Sequence, residues 1–318
     1  MSGQNTISTL FDLQVWIDQT LDLALKTPMV DKSLYPFFDL LTKKVGSENQ
    51  NSLHLPLGDP IKGFQVWPKG DPRPSQTLNL SQWEVFPTRY AVPDIVIDPD
   101  DLRRDKAGLG WLTDQINMLV AQTELHPYEM ELAAIVLACT TTGFDGLPLF
   151  STVHPLTGGT TMSNLDNGNG GHTWFLGACN YPMVKPFLDW VELTYKFTDI
   201  SADLKTIMFQ EPVHWGVHGW RNILPGYWAT VYASNATITK AHVNTVRAAM
   251  TNRVNPISGH LYGYRPSHLF YDPADTVEAL AVCQGDLMFE TSGVGGTNVL
   301  KGTLIPIAIP NLNSLALG

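Results

Sequence analysis

Apolar positions along the chain fall into distinct rhythms. Leu10, Leu13, Ile17, Leu21 and Leu25 recur at three- and four-residue steps, with Asp12, Asp18 and Asp22 on the other side. This pattern predicts an amphipathic helix over 10–26, stopped by Pro28. Such a helix packs either on its own domain or, as a terminal arm, on a neighbour. Between 52 and 100 the rhythm breaks. Pro56, Pro60, Pro68, Pro72, Pro74, Pro87, Pro93 and Pro99 punctuate short runs such as Phe64–Trp67 and Trp83–Phe86. Proline at that density forbids a long helix or central strands but permits an extended two-stranded excursion with edge character. Exposed Trp67 and Trp83 in such an excursion suit an arm lying on another molecule.

Asp98-Pro99-Asp100-Asp101 reads as a helix start, with carboxylates near the positive end of the dipole. The clearest helical pattern follows. Leu109, Leu112, Ile116, Leu119 and Thr123 form one stripe, continued by Met130, Ala134, Leu137 and Ala138. Pro127 predicts a kink or a second helix with proline in its first turn, which Glu129 and Glu131 suit. The pieces make a spine of about 30 residues, ~45 Å long. Residues 143–171 are loop-like, rich in Gly, Asn, Thr and Pro. Strands are predicted over 174–179, 187–197, 227–233, 267–271 and 304–309. Helices are predicted over 240–252, capped by Thr239, and from Asp272-Pro273 to about Cys283. Residues 293–296 read as a flexible loop. This order, without βαβ repetition, predicts an α+β fold.

Composition narrows the function. At about 150 residues per domain, 318 residues suggest two domains or one elaborated one. Hydrophobic residues make up 44% and mean hydropathy is −0.04, as in a folded soluble protein. Charged residues are only 16%, alongside 9 Trp, 10 Tyr and 13 Phe, so much apolar surface must be hidden, some of it against other subunits. A formal charge of −10 disfavours tight direct nucleic-acid binding. Cys139, Cys179 and Cys283 are odd in number and widely spaced, which fits reduced thiols in a cytosolic setting. Met1 to Leu10 carries no Lys or Arg before an apolar run, so no secretory signal is expected. The apolar stretch Leu132 to Cys139 is far short of the ~20 residues needed to span a bilayer.

Candidate chemistry is sparse. His214 and His218 have the i, i+4 spacing of a helical ligand pair. A third ligand and the Glu that metal-assisted hydrolysis wants beside the first His are not evident, and Gly216 and Gly219 oppose a helix there. A structural or surface role is the better reading. The glycine clusters at 168–171 and 293–296 lack the Lys-Ser/Thr and the spacing of phosphate loops, and mobile loops explain them better. No Gly-x-Ser-x-Gly elbow is present. Buried inert thiols are the default for the cysteines, and solvated positions for Lys62 and Lys69. These features argue against an enzyme.

The stretch Gly143-Phe144-Asp145-Gly146-Leu147-Pro148-Leu149-Phe150-Ser151-Thr152-Val153-His154-Pro155 resembles the major head (capsid) subunits of Mu-like tailed phages. In that family a Gly/Cys-[Phe/Tyr]-Asp-Gly turn, a Phe and a His-Pro follow the long helix. The helix-Pro-acidic-helix stretch 109–140 is similar to the family's spine. Lys185-Pro186-Phe187 resembles its Lys-Pro-Leu lead into a strand, and Gly226-Tyr227-Trp228-Ala229 its Gly-aromatic-Trp strand. Tyr264-Arg265-Pro266-Ser267-His268, the helix 273–283 and Asn298-x-x-Lys301-Gly302-Thr303-Leu304 fit as well. The likeness runs in order over 90–315, and residues 1–90 depart most from it.

The resemblance implies an α+β Hong Kong 97-type capsid fold. Its parts would be an N-terminal arm (1–53), an extended loop (54–97), a peripheral domain with the spine helix (98–204) and a mainly axial domain (205–318). It implies a phage major capsid protein that self-assembles into hexamers and pentamers of an icosahedral shell enclosing double-stranded DNA. Such a protein is no enzyme and needs no cofactor or metal. Its partners would be itself, a separate scaffolding protein and portal, a decoration protein, and packaged double-stranded DNA held without sequence-specific binding, with no membrane. Its place would be the virion capsid, after assembly in the host cytoplasm. Interface candidates are Leu13, Ile17, Leu21, Trp67 and Trp83, with the spine stripe Leu112, Ile116 and Leu119. Asp145, Gly146, His154 and Pro155 are expected to fix the turn after the spine. The rival readings are a metal-dependent hydrolase using His214 and His218, and another phage structural protein such as a tail component.

Overall fold

The structure is a computed structural model, and it describes residues 19–20, 23–24, 26–27, 29–45, 52–56, 67–73, 75, 80–84, 88–91, 95–97, 108–156, 159–168, 170–182, 184–197, 213–215, 217–254, 261, 263–285, 287–289, 295–298 and 300–315. Leu13, Ile17 and Leu21 of the expected arm helix lie outside these residues, as does the expected helix start at 98–101; the backbone at 19–20, 23–24 and 26 is helical.

In chain order, a short helix α1 (Phe37–Leu41) runs into strand β1 (Thr42–Val45). Strands β2 (Ser52–Pro56) and β3 (Leu80–Glu84) pair antiparallel, Ser52 opposite Glu84 and Pro56 opposite Leu80. This is the two-stranded excursion that the prolines permit. Short strands β4 (Thr88–Ala91) and β5 (Ile95–Ile97) precede the 29-residue helix α2 (Gly108–Val136). Three two-residue strands follow: β6 (His154–Pro155), β7 (Thr161–Met162) and β8 (Leu165–Asp166). Then come β9 (Trp174–Gly177), β10 (Phe187–Phe197), β11 (Val213–Trp215), β12 (Val217–Pro225) and β13 (Val231–Ser234). Helix α3 (Lys240–Thr251) leads to β14 (His268–Tyr271), helix α4 (Thr276–Gln284), β15 (Leu287–Phe289), β16 (Gly295–Thr297) and β17 (Ile305–Ala308).

The chain divides into two compact units. One comprises Met1–Tyr35, Pro87–Glu129 and Val191–Arg221. Within it β5 pairs antiparallel with β11, and β4 with β12 from Ala91 opposite His218 to Thr88 opposite Arg221. The Glu124 carboxylate of α2 accepts the backbone N–H groups of Met29 (3.0 Å) and Val30 (3.1 Å), and Tyr35 stacks on Tyr128 at 4.8 Å. A carboxylate that gathers two adjacent amides fixes where the incoming chain meets the helix.

The other unit comprises Pro36–Phe86, Met130–Trp190 and Asn222–Gly318. Its centre is a five-stranded sheet in the order β17-β14-β9-β13-β8. β9 runs antiparallel to β13 and β14, while β17 and β8 pair in parallel with β14 and β13. Strand alternation decides the two faces. Trp174 and Leu176 of β9 pack with Leu269 and Tyr271 of β14 against Val243, Val246 and Met250 of α3 and Ala279, Val282 and Cys283 of α4. Phe175 turns to the other face, 5.5 Å from Phe150 and 4.7 Å from Phe270 between ring centroids. Each such side chain contributes about 1.5–3 kcal/mol of burial.

Local signals in the sequence specify several termini. The Thr239 hydroxyl accepts from His242 N at 3.2 Å and starts α3, and Asp272 accepts from Ala274 N at 3.0 Å ahead of α4. Other expectations need correction. Residues 293–296 are not simply a flexible loop, because Gly295–Thr297 forms β16, paired with β15. The expected strand over 227–233 begins only at Val231, since Trp228–Thr230 is a turn of 3-10 helix. Pro127 removes the amide that would reach the Thr123 carbonyl, yet α2 runs through it. Burial on either side (Ile116, Leu119 and Val120 before, Tyr128, Glu131 and Ile135 after) outweighs that loss. The buried stripe of the second half is therefore Tyr128, Glu131, Ile135 and Ala138; Leu137 is half exposed.

Glu131 is fully buried, and one carboxyl oxygen accepts the Thr42 hydroxyl at 2.5 Å. Its other oxygen has no hydrogen-bond partner among the described residues. Thr42 opens β1, which pairs in parallel with β10 so that Lys44 lies opposite the buried Asp189. Burial pushes the Glu131 carboxyl up to about 8 from its usual 4.5; the Thr42 hydrogen bond opposes the shift and the Asp189 and Asp39 carboxylates add to it. The folded chain thus keeps a proton that the unfolded chain loses as pH rises through about 4.5, and the stability contributed by the neutral carboxyl fades from there until pH passes about 8. Glu131→Gln, neutral and nearly isosteric, is expected to stabilise the fold increasingly above pH 5 and to flatten the pH dependence between those limits. Urea unfolding of both proteins at pH 4.5, 6, 7 and 8 checks this; parallel pH profiles would refute it.

Candidate functional site

The turn after α2 closes around a buried polar node. Gly143 N donates to Leu147 O at 2.7 Å, and Leu147 N donates to Asp145 Oδ1 at 3.1 Å. Gly146 between them has φ +79, which a side chain at that position would resist. Asp145 Oδ2 lies 2.7 Å from His154 Nδ1, with the two side chains 3% and 1% exposed. His154 Nε2 faces two oxygens, Leu149 O and Asn164 Oδ1, each at 3.2 Å. The His154 ring stacks on Trp228 with centroids 4.2 Å apart and planes 1° from parallel. Asn164 completes the node. Its Nδ2 donates to Leu149 O (2.7 Å) and Trp228 O (3.0 Å), and its Oδ1 accepts from Ser151 N (2.9 Å). The Arg253 guanidinium lies 5.6 Å from the Trp228 ring and 5.3 Å from Tyr232, and it donates to Ala229 O at 3.0 Å.

Of the residues expected to fix this turn, Asp145, Gly146 and His154 meet in the node, and Pro155 follows as the second residue of β6, opposite Thr161. Asn164 and Arg253 carry as much of the geometry and were not singled out. A lone Asn in a Gly/Asn/Thr-rich loop and a lone Arg after a helix give no local signal, because Asn164 reaches as far as Trp228, 64 residues away, and Arg253 bonds Ala229, 24 residues away.

The other motifs act through close approach and capping. Lys185 is buried, and its Nζ donates to Leu40 O (2.9 Å) and Cys179 O (3.0 Å), joining the end of α1 to the end of β9. Gly226 N donates to Pro186 O at 2.7 Å, and a Cβ on Gly226 would fall 2.7 Å from Leu188 Cγ. Asn298 Nδ2 donates to Val282 O (2.8 Å) and Gly285 O (2.9 Å), satisfying carbonyls at the C-terminal end of α4, while its Oδ1 accepts from Leu300 N. Gly168 and Gly171 face the chain at 235–237 so closely that added Cβ atoms would lie 2.5 Å from Ala236 Cβ and 2.9 Å from Asn235 O. Those two glycines make room for the chain at 235–237.

Reactive groups are sealed or engaged. Burial pushes the Cys139 and Cys179 thiols up to about 12 and Cys283 to about 11, which keeps them protonated. The Ser267 hydroxyl lies 2.8 Å from His268 Nδ1 but also accepts from Cys179 N and approaches Gly177 O, so it is held by the sheet. Burial, and then Lys185, lower the His268 pKa. His214 and His218 lie in strands β11 and β12 and not on one helix. Among the described residues no group of three or more His, Cys, Asp or Glu could hold a metal ion, and no helix is long and apolar enough to cross a membrane.

The interface candidates separate. Trp67 is 57% exposed, and its Nε1 donates to Asp71 O at 2.8 Å across a turn closed by Asp71 N to Pro68 O. The ring is therefore held out in a fixed orientation. Trp83 is half-buried against Leu224, which corrects its expected exposure. Ile116 and Leu119 are buried within their own chain.

Residues 33–312 match the sequence model of the Mu-like prophage major head subunit gpT family. The chain is similar in structure to a subunit of the bacteriophage JBD30 procapsid, with TM-score 0.68, 17% identity, and 96% of this chain and 99% of that one covered. Likeness to the bacteriophage JBD30 capsid gives TM-score 0.69 at 13% identity, over 92% of this chain and 98% of the other. The JBD30 capsid decorated with minor capsid protein trimers gives TM-score 0.67 at 12% identity, over 92% and 98%. No curated protein gives a significant sequence match.

The node predicts a graded response. Asn164→Ala is expected to cost about 2–3 kcal/mol, since it leaves the Leu149 and Trp228 carbonyls and the Ser151 amide without the partner they have now. Asn164→Asp should cost more, because a carboxylate donates to neither carbonyl. Denaturant midpoints check this, and an aspartate variant as stable as wild type would contradict it.

Proposed function

The chain belongs to the Mu-like prophage major head subunit family and is a phage major capsid protein, and we propose that its copies close into hexamers and pentamers of an icosahedral shell around double-stranded DNA. The observation that carries this is a family match over 33–312 on a chain similar in fold, over 96% of its length, to one from a phage procapsid. A shell subunit needs shape and large complementary surfaces, not a nucleophile, and obligate interfaces of this kind bury about 2,000–5,000 Å². The low charge and abundant aromatics suit such surfaces.

On this reading, 1–53 is the N-terminal arm, 54–97 the extended loop, 98–204 the peripheral domain and 205–318 mainly the axial domain. The β2–β3 ribbon and the fixed, exposed Trp67 support the loop assignment, with Trp67 as its contact to a neighbour. A separate scaffolding protein, a portal and a decoration protein are the further partners. Assembly takes place in the host cytoplasm, and the acidic chain holds packaged DNA without sequence-specific contacts.

Negative-stain microscopy of the purified protein, alone and co-expressed with the products of adjacent phage genes, tests the container. Uniform closed particles are expected; small discrete oligomers or tubes under every condition would overturn it. Trp67→Ala is expected to lower shell yield with no change in subunit unfolding. Trp83→Ala should lower subunit stability as well, by about 2–4 kcal/mol at most for a half-buried aromatic. Unchanged shell yield with both substitutions would remove the loop as a clasp.

A further inference from the structure

We propose that helix α4 and helix α3 form the two halves of a head-to-tail contact, the outer face of α4 docking on α3 of the next copy of this chain around a rotation axis. This inference rests on the shell reading and names a surface that builds the shell. Both helices pack on the same face of the five-stranded sheet, through one shared core. They sit towards opposite edges of it: α3 lies on β13, and α4 lies on β14 and the edge strand β17. A unit with two distinct partner surfaces is suited to heterologous contact, which closes into a ring when the rotation permits.

The two outer faces differ in chemistry. α4 is buried through Ala279, Val282 and Cys283, and at helical spacing its opposite side presents Val277 (76% exposed), Leu280 (36%) and Ala281. The helix carries Glu278 and no basic residue. α3 is buried through Val243, Val246 and Met250 and turns Ala241, Asn244 and Ala248 outward, small side chains that leave room for Val277 and Leu280. It carries Lys240, His242 and Arg247 and no carboxylate. An apolar face with an acidic flank thus fits a small-residue face with a basic flank.

The sheet edge beside α4 is a poor template for an added strand. Ile305 N donates to Ser267 O at 2.9 Å and Ile309 N to Tyr271 O at 2.8 Å, so the odd-numbered amides of β17 point into the sheet. Pro306 sits where an outward amide would otherwise serve an added strand. Ile305, 55% exposed, adds apolar surface at that same edge. The exposed side chains at this edge therefore offer more to a neighbour than its backbone does.

The test uses the full chain under conditions where wild type forms shells. Val277→Arg, at a position outside the core, is expected to leave the unfolding midpoint unchanged and to cut shell yield at least about tenfold, as for an interface hot spot. Glu278→Lys and Arg247→Glu should each reduce assembly, and the double variant should recover it. The Val277→Cys, Ala248→Cys double variant should give oxidised ladders of several subunits in assembled particles, whereas neither single variant should. Wild-type yield from Val277→Arg, no recovery in the charge swap, or single cysteine variants that cross-link as dimers would overturn the proposal while leaving the shell reading intact. Intact shells that lose a different bound protein on Val277→Arg would overturn it in favour of that partner. If wild type itself forms no shells, the shell reading fails first.

Discussion

A buried polar group must find its partners within the fold, and this requirement organises the region that follows the long helix. Asn164 is the clearest instance. Its amide bridges the Leu149 carbonyl on the loop to the Trp228 carbonyl before β13, and its own backbone carbonyl accepts from Ala233 N at 2.9 Å. The loop closes only when all three strangers in sequence are in register, because any one left unpaired in a low-dielectric interior costs about 1–3 kcal/mol. His154 and Asp145 add a second closure on the same spot, and the stacked Trp228 ring gives it a floor. Rigidity of this kind suits a subunit whose neighbours read its shape.

The same economy explains why a protein with 16% charged residues carries little visible chemistry. Potential nucleophiles and bases are spent on structure: Ser267 on the Cys179 amide, Lys185 on two carbonyls, and the thiols on apolar burial. Among the described residues, two exposed features are apolar and shaped: the Trp67 ring pinned to Asp71 and the Val277 side of α4. In an obligate assembly, apolar surfaces of this kind are where neighbouring subunits complete their core.

Legibility in the sequence followed the range of each interaction. Thr239 and Asp272 were readable because a cap acts within three residues. The edges of β10 match the strand predicted over 187–197, because the loose alternation of Val191, Leu193, Tyr195 and Phe197 with Glu192, Thr194 and Lys196 is equally local. Gly226 and Gly168 were readable as glycines but not as contacts, since Leu188 and Ala236 are what they make room for. Trp83 looked like a surface aromatic until β12 supplied Leu224 beneath it. The partner of β16 is β15, and a glycine-rich strand carries no hydrophobic alternation from which pairing might be inferred.

Glu131 and Asp145 show how the same chemical group serves opposite ends. Both are carboxyls in the second unit, near the C-terminal end of α2, and both are buried. Asp145 meets a backbone amide on one oxygen and an imidazole nitrogen on the other, so each oxygen has its donor and the turn around it has one geometry. Glu131 has a single hydroxyl donor, and the carboxylates of Asp189 and Asp39 nearby add to the cost of its charge. It read as a residue suited to the first turn of a second helix, yet it faces inward in an unbroken one. Hydrophobic periodicity misses it because the stripe through Tyr128, Ile135 and Ala138 passes over a charged letter. A neutral carboxyl behaves there as a small polar spacer, and the long helix keeps its inner face at the expense of a proton that only the folded chain retains.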